Sequence, residues 1–89
     1  SMRDDNNAET QLYFRFTFAA EAQALAFVRM LEPEFAASTM YAVNLQRWQV
    51  VVQRRLPPLH SAASAVLTEL NARAATVGGE ENGWGKSRD

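Results

Sequence analysis

The sequence predicts an α+β fold of the ferredoxin-like type, an antiparallel sheet with two helices on one face. Three observations predict it. A run near the start alternates apolar and polar residues. Two longer runs carry apolar residues at helical spacing. Two further strand-like runs lie between those helices. The order is strand, helix, strand, strand, helix, then a tail with room for one last strand, which is the β-α-β-β-α-β plan.

The first strand is expected from Gln11. Leu12, Phe14, Phe16 and Phe18 alternate with Tyr13, Arg15 and Thr17. A period of two with the apolar residues on one side describes a half-buried strand. Residues 1–10, SMRDDNNAET, have no period and are expected to form a disordered N-terminal segment. Ala19 to Glu32 follows, alanine-rich and free of Gly and Pro, with Ala20, Ala24, Phe27, Val28 and Leu31 on one stripe. Alanine has the highest helix propensity, so local preference agrees with the pattern. Pro33 ends this helix, because the residue before a proline resists helical torsion angles.

Met40 to Gln46 and Trp48 to Arg55 read as two strands joined by a turn near Asn44 to Arg47 that lacks glycine. In the second, Trp48, Val50 and Val52 alternate with Gln49, Val51 and Gln53, which gives Trp48 a core or core-edge role. Pro57 and Pro58 break the sheet and prepare a helix, since proline is tolerated in a first turn. Leu59, Ala63, Val66, Leu67, Leu70, Ala74 and Val77 form the clearest helical stripe, with Glu69 and Arg73 as a favourable i,i+4 pair. Gly78 is placed to cap that helix in the left-handed region.

The tail, GGEENGWGKSRD, sets Trp84 between Gly83 and Gly85 in polar surroundings. Asn82-Gly83 is a tight-turn dipeptide, and Gly85 would let the backbone pass close to another element. A turn that lays Trp84 on the sheet edge or the second helix would bury roughly 150–250 Å² and close the fold. The alternative is an exposed anchor for a partner.

Composition bounds the function. Eighty-nine residues fit one small domain, assigned here to residues 11–85 with a tail at 86–89, and leave little room for a deep pocket. A 47% hydrophobic, 21% charged chain belongs with globular rather than disordered sequences. Nine basic and ten acidic residues give a net charge of −1, so direct nucleic-acid binding is not expected. The absence of cysteine excludes a disulfide framework and thiolate metal sites. No apolar run approaches about 18 residues and no charged-then-apolar leader is present, so a soluble, cytoplasmic protein is expected.

No catalytic constellation is visible. His60, the only histidine, follows the proline pair and reads as an exposed or capping residue. Glu80 and Glu81 are adjacent in a polar tail, where nothing would shift a carboxylate for acid-base work. Gly78-Gly79 follow a helix, whereas phosphate loops precede one. No catalytic residue, cofactor or metal ligand is therefore assigned. If Phe14 and Phe16 face the helices, then Tyr13, Arg15 and Thr17 share the open face with Gln49, Val51, Gln53 and Arg55. An RNA-recognition sheet looks similar, but its signature motif is absent and only one aromatic is offered. A protein contact is the preferred reading, with Tyr13, Arg15, Gln53, Arg55, Glu80 and Trp84 as candidate partner-binding residues.

"WQVVVQRRLPP", a long helix ending "LNARAATVGGE", and "NGWG" together resemble the RraB family, regulators of ribonuclease E activity. The resemblance covers roughly Leu12 to Gly85. Its specificity rests on Gly79-Glu80 and Gly83-Trp84-Gly85, supported by Trp48 and the prolines; Asn82 stands where an aspartate is usual. The resemblance implies a ferredoxin-like fold and a non-catalytic regulator that binds a protein, ribonuclease E or another RNA-processing nuclease. Other readings of the same chain are a ferredoxin-like module that self-associates or senses a small ligand, and an immunity protein that neutralises a cognate toxin. A monomer or weak homodimer is expected.

Overall fold

The structure, a computed structural model, describes residues 9–88. Its elements are β1 (Thr10–Phe18), α1 (Glu21–Leu31), β2 (Ala36–Ala42), β3 (Arg47–Leu56), α2 (His60–Ala75) and β4 (Glu80–Gly85). The four strands form one antiparallel sheet in the order β2-β3-β1-β4, and the fold is ferredoxin-like α+β. The disordered segment expected over residues 1–10 lies outside the described residues up to residue 8, and Thr10 already belongs to β1. Among the described residues, no helix is long and apolar enough to cross a membrane.

The alternation of β1 sets which face is core. Phe14, Phe16 and Phe18 are fully buried and lie opposite Val52, Val50 and Trp48 of β3. Both helices pack on this face: Phe27 of α1 meets Phe16 edge-on at 5.2 Å and Phe18 at 5.3 Å, while α2 contributes Ala63, Leu70 and Ala74. Aromatic pairs in such tilted arrangements add stability beyond their burial. Trp48 sits half-buried at the core edge as expected, with Tyr41 of β2 edge-on at 5.3 Å. Helix α1 stops before Pro33: Glu32 is already extended, at φ −75° and ψ 146°.

Three expectations need correction. Ala20, placed on the α1 stripe, is the exposed N-cap residue of that helix, at φ −128° and ψ 147°. The strand expected over Met40–Gln46 starts four residues earlier, at Ala36, and ends at Ala42. Backbone pairing from Ala36↔Gln53 to Ala42↔Arg47 defines it, and its small residues show no alternation to read. Val43 to Gln46 make the turn instead. Leu59, placed on the α2 stripe, is the N-cap residue and is 60% exposed.

The glycine-free turn has a physical consequence. Gln46 takes φ +56°, and its N–H donates to Ala42 O at 2.8 Å. A left-handed conformation costs a residue with a Cβ roughly 1–2 kcal/mol, while glycine loses about 0.5–1 kcal/mol more chain entropy on folding. Gln46→Gly is therefore expected to raise stability by about 0.5 kcal/mol. Urea unfolding should show a higher midpoint at unchanged slope; a lower midpoint would contradict the left-handed assignment.

Candidate functional site

The tail builds the site. Helix α2 ends where Gly78, at φ +79°, reverses the chain: Gly78 N–H donates to Ala75 O at 3.3 Å and Gly79 N–H to Ala74 O at 2.9 Å. This is the paired ending expected of a glycine cap. Gly79 then passes tight against the core, so close that a Cβ on it would lie 2.4 Å from the Phe18 ring. From there β4 runs antiparallel to β1 as an edge strand.

Register decides the position of Trp84. Glu80 lies opposite Thr17 and Glu81 opposite Phe16. Continued regularly, that register would set Trp84 opposite Tyr13, on the open face. Instead the ladder shifts between Phe16 and Phe14, and Trp84 lies opposite Phe14. The irregularity is a bulge with Gly83 at φ +92°, a conformation that glycine alone adopts cheaply. One extra residue in β4 thus turns Trp84 to the helix face, because a one-residue slip exchanges the two faces of a strand. The tight turn expected at Asn82-Gly83 is this bulge, inside a strand. Gly85 was expected to permit a close backbone approach, but a Cβ there would meet nothing within 4 Å.

Trp84 is half-buried. Its ring stacks on Phe14 at 5.9 Å and 22° and tilts toward His60 at 6.3 Å. Beside it opens an apolar groove of about 170 Å³. Buried Leu12 and Ala63 line it, with Trp84 on one side, Pro57, Pro58 and Leu59 on another, and Thr10, His60 and Lys86 completing the lining. Helix α2 starts at this groove without a side-chain cap and without an acidic residue in its first turn. His60 is exposed, as expected of a residue at a helix start.

No protein-family model, curated protein or solved structure matches this chain.

The other candidate residues lie elsewhere. Tyr13, Arg15, Gln53, Arg55 and Glu80 occupy the open face, opposite to the side that Trp84 faces. Polar side chains of neighbouring strands pair across this face. Gln11 Nε2 donates to Gln53 Oε1 at 2.8 Å, Arg47 Nε to Thr17 Oγ1 at 3.0 Å, and Asn82 Nδ2 to Gln49 Oε1 at 3.1 Å. Arg15 donates to two backbone carbonyls, Asn82 O at 3.4 Å and Ser87 O at 3.1 Å, and so straps the tail to the sheet. Arg55 turns outward to Glu9, donating to its backbone oxygen at 3.2 Å. On this face Val51 and Thr17 are buried although no helix covers them.

Sequence reasoning missed the groove residues Pro57, Pro58, Leu59 and Lys86, because they come together only once β4 pairs with β1. It also missed a charged cluster on the helix face. Arg54 and Arg73 stand over the buried Phe35 ring, at 4.7 and 5.8 Å, and reach Glu34 at 3.9 and 3.5 Å. Arg73 also pairs with Glu69, as expected, and donates to Met30 O at 3.1 Å. One signal was available: Arg54 shares the parity of Val50 and Val52, so its charge falls on the core side.

Proposed function

We propose that this chain is a non-catalytic, cytoplasmic, protein-binding regulator of the RraB type, acting on an RNA-processing nuclease such as ribonuclease E or on its scaffold region. The observation that carries the reading is the use of the Gly83-Trp84-Gly85 ending to set a half-buried tryptophan beside an open apolar groove. A half-buried tryptophan stacked on a core ring, with apolar surface left beside it, is the type of residue that dominates protein interfaces. At about 170 Å³ the groove suits one inserted side chain. Small-molecule sites usually measure about 300–1,000 Å³, which favours a protein anchor over a sensed metabolite.

The test is capture of partners from host lysate on the tagged full chain, with and without nuclease treatment, read by mass spectrometry. Recovery of an RNA-degradation protein under both conditions is the expected result. Loss of all recovery after nuclease treatment would replace the reading by RNA binding, and recovery of a toxin alone would replace it by an immunity function.

A further inference from the structure

The two sheet edges are built differently. Edge β4 carries Glu80, Glu81, a bulge and two glycines, all features that discourage pairing with another strand. Edge β2 has none of them. Its register with β3 is regular over all seven residues, it holds no proline or glycine, and the twelve residues from Phe35 to Gln46 include no charge. Exposed apolar side chains gather at its end: Met40 is 58% exposed and Val43 77%, with Tyr41 and Leu45 beside them.

We infer that β2 pairs antiparallel with β2 of a second copy of this chain, joining two sheets into one of eight strands. The strand is self-complementary. With a two-fold axis beside Thr39, Thr39 meets Thr39 of the second copy, Ser38 meets Met40 and Ala37 meets Tyr41. Each bulky residue thus faces a small one, every pair lies on a common face, and no like charges oppose. The arrangement also closes, because the outer edges of the joined sheet are the two protected β4 strands. Seven paired residues span about 24 Å and cover on the order of 500 Å² per copy. Standard interfaces bury about 800 Å² per partner, so the dimer is expected to be weak, half-associated at roughly 10–100 μM.

Sedimentation equilibrium on the full chain, from about 1 to 500 μM, tests this. The mass should rise from 9.9 kDa toward twice that value. Met40→Lys, at an exposed position, should stay monomeric throughout with an unchanged circular dichroism spectrum. The chain has no cysteine, so Thr39→Cys reports directly on the axis. It should cross-link on mild oxidation at least tenfold faster than Glu80→Cys on the opposite edge. A monomeric mass at the top concentration, growth beyond the dimer, or equal cross-linking rates for the two cysteines would each overturn the inference.

Discussion

Gly79→Ala is expected to destabilise the protein by about 3 kcal/mol, lowering the melting temperature by roughly 10–20 °C. The added Cβ would stand 2.4 Å from Phe18 Cε2, 2.7 Å from Cζ and 3.1 Å from Ala74 Cβ. None of these neighbours can yield easily. Phe18 is fully buried with its ring against Phe27, and Ala74 is part of the body of α2. Relief therefore requires the whole connection between α2 and β4 to move. Overpacking a filled core costs typically about 1–3 kcal/mol, and two fixed neighbours place this site at the upper end. Gly78→Ala is the comparison. It meets the left-handed penalty at φ +79°, about 1–2 kcal/mol, but its Cβ approaches only the amide end of the Gln23 side chain, at 2.9 Å, which can shift at the cost of its hydrogen bond from Ala20 N–H. Combining Gly79→Ala with Phe18→Leu, which removes the ring edge, should cost less than the sum of the two by about 1 kcal/mol. Equal melting temperatures for the two glycine variants, or strict additivity in the pair, would show that the contact with Phe18 is not what excludes a side chain.

Most of the architecture was legible in the sequence, and the reason is periodicity. Phe14, Phe16 and Phe18 announce a strand and its buried face, and the apolar stripes of α1 and α2 announce helices that cover it. Strand β2 was displaced because an edge strand of Ala, Ser and Thr has little burial to encode. Its bounds follow from backbone pairing with β3, which leaves no mark on residue type. The candidate site was half legible. Glycines around a tryptophan marked the tail as special, yet the side of the sheet that Trp84 faces depends on one extra residue in a ladder. A bulge is a relation between two strands, and no pattern within either strand alone reports it. The groove depends on that bulge, so Pro57 and Pro58 could be read as helix preparation and Leu59 as part of the α2 stripe, but none of them as the far side of a cleft. The open-face prediction was of the opposite kind. Parity placed Tyr13, Arg15, Gln53 and Arg55 correctly, while the hydrogen bonds that tie Arg15 to the tail required the tail to be in place.

Trp84→Ala is expected to lower both stability and partner binding, which makes it a poor witness by itself. Full truncation of a buried tryptophan costs about 3–5 kcal/mol, so a half-buried one stacked on Phe14 should cost about 2 kcal/mol. Leu59→Asn separates the two effects. Leu59 is the N-cap residue of α2, at φ −121° and ψ 133°, and its side chain has no acceptor for the first-turn N–H groups. Asparagine is among the best residues for that position, worth about 1 kcal/mol over a residue that cannot cap. Because Leu59 is 60% exposed, the burial lost is small. The variant should therefore melt at a higher temperature than the parent. The same change removes an apolar side chain from the groove and sets a polar amide there, so an inserted apolar anchor should bind roughly tenfold more weakly, or about 1.4 kcal/mol. A protein that becomes more stable while binding less well cannot be failing through misfolding, so that pair of results would assign the groove to recognition. Should Leu59→Asn bind its partner as tightly as the parent while Trp84→Ala loses stability, the tryptophan closes the fold and nothing more. Recognition would then move to the open face, and Arg55, whose side chain turns outward to Glu9, becomes the residue to replace.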